Sequence, residues 1–221
     1  MTKLKAELIG VTKLLKKLEE DSPEGLVAYC ARVSNPQYQD KPIGSLFDYC
    51  VRNKHWSIFE MVNALVEVEA PRDISRQLLR HRSFSFQEFS QRYSDQIEFT
   101  DRESRSQDTK NRQNSFDDLD EDLKDALSQE ITETKHRAED TYRWMIGQGV
   151  AKECARVILP EGLTMSRLYV NGTLRSWLHY LDVRDDPGVT QWEHVLLARE
   201  IRKVLEPAFP KVFSSLIGKG T

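Results

Sequence analysis

The chain has 221 residues, 39% hydrophobic and 30% charged, with 32 Lys and Arg against 35 Asp and Glu and a net charge of -3. This length suits a single large domain with a substantial core. The charge balance argues against a dedicated nucleic-acid binder, which needs a basic excess. No apolar run reaches the roughly 18 residues of a membrane helix, and the mixed start Met1 to Val11 is not a signal peptide.

In chain order, Leu4 to Val11 predicts a short strand. Ser22-Pro23-Glu24 marks a helix start, a hydroxyl cap followed by proline in the first turn, and that helix runs to about Val33 and stops near Asn35-Pro36. A second helix is expected from Gly44 to Asn53. Val62, Ala64, Val66 and Val68 alternate with Asn63, Glu67 and Glu69, the period of a half-buried strand. Pro71 ends it, and a helix from Arg72 to about His81 follows. Ser83 to Ser94 breaks periodicity, and Ile97 to about Asp118 is polar, irregular and mostly loop. A long helix then covers about Leu119 to Ile146, with Leu119, Leu123, Leu127 and Ile131 stepping by four as one apolar stripe. A short helix over about Val150 to Leu159 ends at Pro160. Another begins at Ser166 or Thr173 and runs to Val183, and the last covers Val189 to Leu205. Trp144 and Trp192 are assigned to the core. With no repeat or low-complexity linker, residues 1–221 read as a single α+β domain.

The densest polar cluster is Arg80 to Tyr93, where three arginines, one histidine and three serines are interleaved with Phe84, Phe86 and Phe89. Solvated loops rarely carry three phenylalanines, and core strands rarely carry three arginines. The mixture suits a partly buried anion, because guanidinium forks match phosphate oxygens and excluded water strengthens each charged contact. An ion-pair network has the same composition. The order of residues is more specific: Arg-His-Arg-x-x-Ser-x-Gln-x-x-Ser-x-Arg resembles the signature of flavin-dependent thymidylate synthases, with Gln87 where the common form has Asn. Four further stretches resemble that family in its order. They are Ser34 in Cys-Ala-Arg-Val-Ser, His55-Trp-Ser57-Ile-Phe59-Glu60, Arg156-Val-Ile-Leu159-Pro160, and Arg175-Ser-Trp-Leu-His179 continuing to Arg184.

The resemblance implies an α+β fold with a central, mainly antiparallel sheet packed by helices and a long helix in the second half. It implies reductive methylation of dUMP to dTMP, with 5,10-methylenetetrahydrofolate as carbon donor, FAD as cofactor and NADPH as reductant, in a cytoplasmic homotetramer with shared sites and no nucleic-acid or membrane partner. Ser57, Arg80, His81, Arg82, Ser83, Glu88, Arg175 and His179 would contact FAD, joined by Thr173 or Asn171. Gln77, Arg80, Glu88, Ser90, Arg92, Arg156 and Arg184 would contact dUMP, helped by the backbone amides of Phe89 and Gln91. Arg184 would face the pyrimidine edge and favour ionisation at N3, the catalytic role. Independently of the resemblance, Gln77 and Arg80 share a helix face, as do Arg175 and His179. Leu174, Trp177, Leu178 and Leu181 form the opposite, apolar side of that second helix.

Other cofactor motifs are missing. Gly147-Gln-Gly149 lacks a third glycine and follows a helix, there is no phosphate-binding GxxxxGK[ST] loop, and the five histidines show no paired metal spacing. Cys30, Cys50 and Cys154 are odd in number and widely spaced, and read as reduced core thiols without a nucleophile's surroundings. Arg105, Lys110, Arg112 and Gln113 are assigned to a solvated loop. The sequence leaves two rivals open: a flavoprotein that only oxidises a reduced nicotinamide, and a nucleotide or RNA binder using the arginine-aromatic segment.

Overall fold

The computed structural model describes residues 2–217. Strand β1 (Lys5–Val11) is followed by helices α1 (Pro23–Ala31) and α2 (Leu46–Arg52), strand β2 (Asn63–Pro71), helix α3 (Arg72–Leu79) and strand β3 (Ser85–Glu88). A small hairpin, β4 (Ser106–Gln107) with β5 (Ser115–Phe116), leads to the long helix α4 (Glu121–Gly147) and the short α5 (Lys152–Ala155). Strand β6 (Met165–Thr173) and helices α6 (Leu174–Arg184), α7 (Trp192–Leu205) and α8 (Pro210–Ile217) complete the chain.

The main sheet has the order β1-β2-β6-β3 and every pairing is antiparallel. Its spine is the β2–β6 ladder, running from Asn63↔Thr173 to Pro71↔Met165. Period-two alternation sends Ala64, Val66, Val68, Ala70, Leu168 and Val170 into the core. Helices α3, α6 and α7 cover that face with Ile74, Leu78, Trp177, Leu181, Leu197, Ala198 and Ile201, all buried. The opposite face, with Glu67, Glu69, Arg167, Tyr169 and Asn171, is not buried.

Several expectations need correction. Residues 166–172 are not helix but part of β6, the sheet's inner strand; the helix starts after Thr173, whose hydroxyl caps it by accepting from the Ser176 amide at 3.2 Å. Ser83 to Ser94 contains the edge strand β3, which Phe89 extends by donating its amide to the Arg167 carbonyl at 2.8 Å. The 100–118 segment carries the β4–β5 hairpin and turns on Asp108, which accepts from the amides of Lys110 and Asn111. The stripe on α4 is not in the core of the chain: Leu123 is exposed, and only Ala138 and Tyr142 of that helix are buried. A stripe identifies an interface side, not what covers it. Trp144, on the same helix, is 64% exposed, and Trp192 is only partly buried, with the Arg199 guanidinium over its ring. Of the cysteines, Cys50 is buried, Cys30 intermediate and Cys154 exposed.

Candidate active site around residues 80–92

Helix α3 ends at Leu79, and the chain turns through two backbone bonds, His81 amide to Leu78 carbonyl and Phe84 amide to His81 carbonyl. Phe84 is the pivot of this turn. Its ring is buried, with ring centroids 4.4 Å from Trp177 and 6.0 Å from Tyr180. Its ring edge packs against β6 only because residue 172 is glycine; a Cβ there would stand 2.2 Å from Phe84 Cδ1. The phenylalanines and arginines therefore separate. Phe84 and Phe86 anchor the segment in the core, and Arg80, Arg82 and Ser83 are left on the exposed side. Neither the Arg80 nor the Arg82 guanidinium has a hydrogen bond or ion pair among the described residues.

Between α3 and α6 lies a mostly buried polar cluster. Arg184 donates Nε–H to His81 Nε2 at 2.9 Å, so the His81 proton resides on Nδ1. Burial, with Arg184, His179 and Arg80 nearby, lowers the His81 pKa from 6.5 to about 4. The imidazole is thus neutral at physiological pH and can accept from a guanidinium. The terminal N–H groups of Arg184 make no hydrogen bond or ion pair among the described residues. Tyr180 meets the His81 ring edge-on at 5.1 Å and its hydroxyl contacts Nε2 of the fully buried His194 at 3.1 Å. His194 Nδ1 contacts Gln77 Oε1 at 3.1 Å, and burial lowers its pKa to about 3.

Ser83, Arg175 and His179 line one cavity of about 740 Å³, together with Trp56, Glu60 and Leu178. That volume lies within the range of small-molecule sites. Arg175 pairs there with Glu60. Ser57 lies exposed in the turn after α2 that also carries Trp56 and Glu60, and the Thr173 hydroxyl is engaged in capping α6. The other expected contacts sit at the far end of β3. Glu88 accepts from the Ser166 hydroxyl at 2.9 Å and lies 3.7 Å from Arg72. The Ser90 hydroxyl accepts the Arg92 amide, Gln91 is buried, and Arg92 reaches Glu153 at 3.1 Å. That pair sets residues 90–92 beside α5, just before Arg156. Register places Ser85 opposite Asn171 and Glu88 opposite Leu168, so β3 alone separates the two groups by about 10 Å. Phe89 lines a different cavity, of about 820 Å³, with Tyr142 and Arg167.

The family described as "Thymidylate synthase complementing protein" matches residues 13–211. The flavin-dependent thymidylate synthase of Synechocystis is 49% identical over 195 residues, covering 88% of this chain and 90% of that protein. The probable flavin-dependent thymidylate synthase of Paramecium bursaria Chlorella virus 1 is 42% identical over 216 residues, covering 96% and 99%. The chain belongs to the flavin-dependent thymidylate synthase family. It is accordingly an enzyme, a methyltransferase of that family. Its fold is that of the UMP/dUMP methylase PolB of Streptomyces cacaoi, solved with 5-Br dUMP, at a TM-score of 0.80 and 24% identity over 98% of this chain and 96% of that one.

In this flavin-dependent thymidylate synthase, several polar residues that the sequence did not single out lie against the candidate site. His194, Glu193, Gln191 and Tyr180 all touch or support the Gln77–His81–Arg184 cluster. One signal was available: Glu193-His194 interrupts the apolar face of α7 just before Val195, and buried polar residues in such a place need partners. Arg105, assigned to a solvated loop, is instead largely buried and bonded to Glu193 at 2.6 Å.

Proposed function

We propose that this protein makes thymidylate from dUMP, taking the carbon from 5,10-methylenetetrahydrofolate and the hydride from FAD reduced by NADPH. Besides family membership, the reading rests above all on one observation: a neutral His81 holds Arg184 by Nε, while Arg80 and Arg82 on the same turn carry guanidiniums without a hydrogen bond or ion pair among the described residues. Exposed guanidiniums next in sequence to Ser83, which lines a cavity of both apolar and polar side chains, fit a dinucleotide with an anionic diphosphate.

Arg80, His81, Arg82, Ser83, Arg175 and His179 would hold FAD, with Ser57, Thr173 and Glu88 at its margins. Bound FAD supplies the redox chemistry, a role outside the reach of protein side chains. Ser90, Arg92 and Arg156 hold the dUMP phosphate, and the Phe89 and Gln91 amides, Glu88, Arg80 and Gln77 hold the rest of the nucleotide. Fixing it in this way lowers the entropy cost of bringing uracil onto the flavin. Arg184 directs its terminal N–H groups at the pyrimidine edge and stabilises negative charge developing at N3. His81, lacking a charge, orients Arg184 without competing with it.

The working form is a homotetramer with composite sites. Two features support this: the two groups of binding residues lie at opposite ends of β3, and α4 and the outer sheet face leave Leu123, Trp144, Ile9 and Tyr169 uncovered. Three unpaired cysteines fit the reducing cytoplasm, and no helix among the described residues is long and apolar enough to cross a membrane. The test is an assay with dUMP, methylenetetrahydrofolate, FAD and NADPH, each omitted in turn. Thymidylate should form only in the complete mixture. Product without FAD, or NADPH oxidation that never yields thymidylate, would refute the reading.

A further inference from the structure

Five side chains form an unbroken hydrogen-bonded series beside the site. The Tyr180 hydroxyl contacts His194 Nε2 at 3.1 Å, His194 Nδ1 contacts Gln77 Oε1 at 3.1 Å, Gln77 Nε2 donates to Gln191 Oε1 at 2.7 Å, and Gln191 Nε2 donates to Glu193 Oε2 at 2.9 Å. The Glu193 end is fixed. Its side chain is 3% exposed, Arg105 binds its Oε1 at 2.6 Å, and Arg102 lies 3.5 Å from Oε2. Arg102 is itself clamped on Asp73 by two bonds and on the Gly162 carbonyl.

A carboxylate between two guanidiniums can only accept. Gln191 must therefore point its NH2 at Glu193 and its carbonyl at Gln77. Gln77 must then point its NH2 at Gln191 and its carbonyl at His194. His194 answers with Nδ1–H, which leaves Nε2 as the acceptor for the Tyr180 hydroxyl. A charge at one end thus settles two amide orientations and one histidine tautomer that would otherwise each have two states.

We propose that Gln191, Glu193 and His194 are positioning residues for nucleotide recognition, holding the Gln77 amide in one orientation so that its remaining N–H and carbonyl lone pair meet the substrate in a fixed order. The 100–118 segment, through Arg102 and Arg105, is the anchor of this series. The inference rests on Gln77 as a dUMP contact, the reading given above. An amide turned the wrong way offers a donor where the nucleotide needs an acceptor, which leaves a polar group unpaired at the interface.

The test compares Gln191→Met, Gln77→Met and the double variant as FAD-loaded enzymes, measuring KM for dUMP, kcat at saturating dUMP and FAD content. Gln191→Met should raise KM about tenfold with kcat and FAD content unchanged. Because Gln191 acts only through Gln77, the double variant should be no worse than Gln77→Met alone. A wild-type KM in Gln191→Met beside an impaired Gln77→Met, or losses that multiply in the double variant, would overturn the proposal. A wild-type KM in Gln77→Met would instead overturn the premise that Gln77 contacts dUMP, and a wild-type enzyme without thymidylate synthesis would overturn the activity itself. Neutron diffraction of the unmodified holoenzyme decides the same point without variants. A deuteron on His194 Nδ1 is expected, and one on Nε2 with Nδ1 bare would overturn the series.

Discussion

Substituting alanine for Gly172 tests how the 80–92 segment is held. The new methyl carbon would stand 2.2 Å from Phe84 Cδ1 and 2.4 Å from Cε1, where carbon atoms in contact prefer about 3.5–4.0 Å. The ring must move by more than about 1 Å, and its 4.4 Å packing on Trp177 leaves little room on the far side. Overpacking of this kind costs about 1–3 kcal/mol. Partial loss of Phe84 burial adds about 1 kcal/mol, so the total is about 2–4 kcal/mol. For a chain of this length that is a fall of about 5–15 °C in Tm. The assay is thermal melting of FAD-loaded protein at fixed protomer concentration, with flavin retention read from the visible spectrum. Arg82 and Ser83 hang from Phe84, so flavin retention should fall together with Tm. Phe84→Leu in the Gly172→Ala background should recover part of the loss, since a smaller side chain leaves room for the methyl. A Gly172→Ala protein that melts with wild type and keeps its FAD would refute the anchoring argument.

Acid should destabilise the fold earlier than carboxylate titration would require. His81 and His194 have folded-state pKa values lowered from 6.5 to about 4 and about 3, so the unfolded chain binds protons that the native chain refuses. Their contribution is complete above about pH 6.5 and is lost as pH falls toward the lowered values. Between pH 6.5 and 5 the more buried His194 alone accounts for about 2 kcal/mol; denaturant unfolding at the two pH values measures this, and equal stabilities would contradict it. Arg92→Ala should weaken dUMP binding about 10- to 100-fold, the worth of a charge-assisted phosphate contact, with FAD affinity unchanged in a titration of each ligand. Equal losses for both ligands would count against the assignment. Cys154→Ser should keep wild-type turnover, because the thiol is exposed and outside the cluster; complete loss in a folded variant would revive a thiol nucleophile.

Local rules were legible where they act through neighbours in sequence. The Ser22 cap and Pro23 start α1, with the Ser22 hydroxyl accepting from the Gly25 amide at 3.0 Å. The alternation of 62–69 gave β2 within a residue at its start, and the step-four stripe gave α4. Strand β6 was harder. Leu168, Val170 and Gly172 alternate with Arg167, Tyr169 and Asn171, yet the run merges with α6 and carries a glycine, and its strand character comes from partners 80 or more residues away in β3 and about 100 away in β2.

The site divides in the same way. A fixed-gap pattern singled out Arg80 to Arg92 as the candidate site, because the spacing itself is the signal. The support from Gln191, Glu193 and His194 left only a faint trace, the polar Glu193-His194 pair on the apolar face of α7, because their partners Gln77 and Tyr180 are met only when α7 packs against α3 and α6. The fate of Phe84 was hidden for a related reason. Sequence composition read the interleaved phenylalanines and arginines as one partly buried anion site, whereas Gly172 admits the Phe84 ring to the core while Arg80 and Arg82 stay exposed.

On the proposed function, residues 80–92 grip a pyrimidine monophosphate beside a flavin. A crystal structure with FAD and dUMP bound tests it most directly. The nucleotide phosphate should lie on Ser90 and Arg92, the pyrimidine edge on Arg184, and the flavin against Ser83, Arg175 and His179, with more than one chain contributing to each site. Either ligand bound elsewhere, with Arg80, Arg82 and Arg92 directed into bulk water, would contradict it.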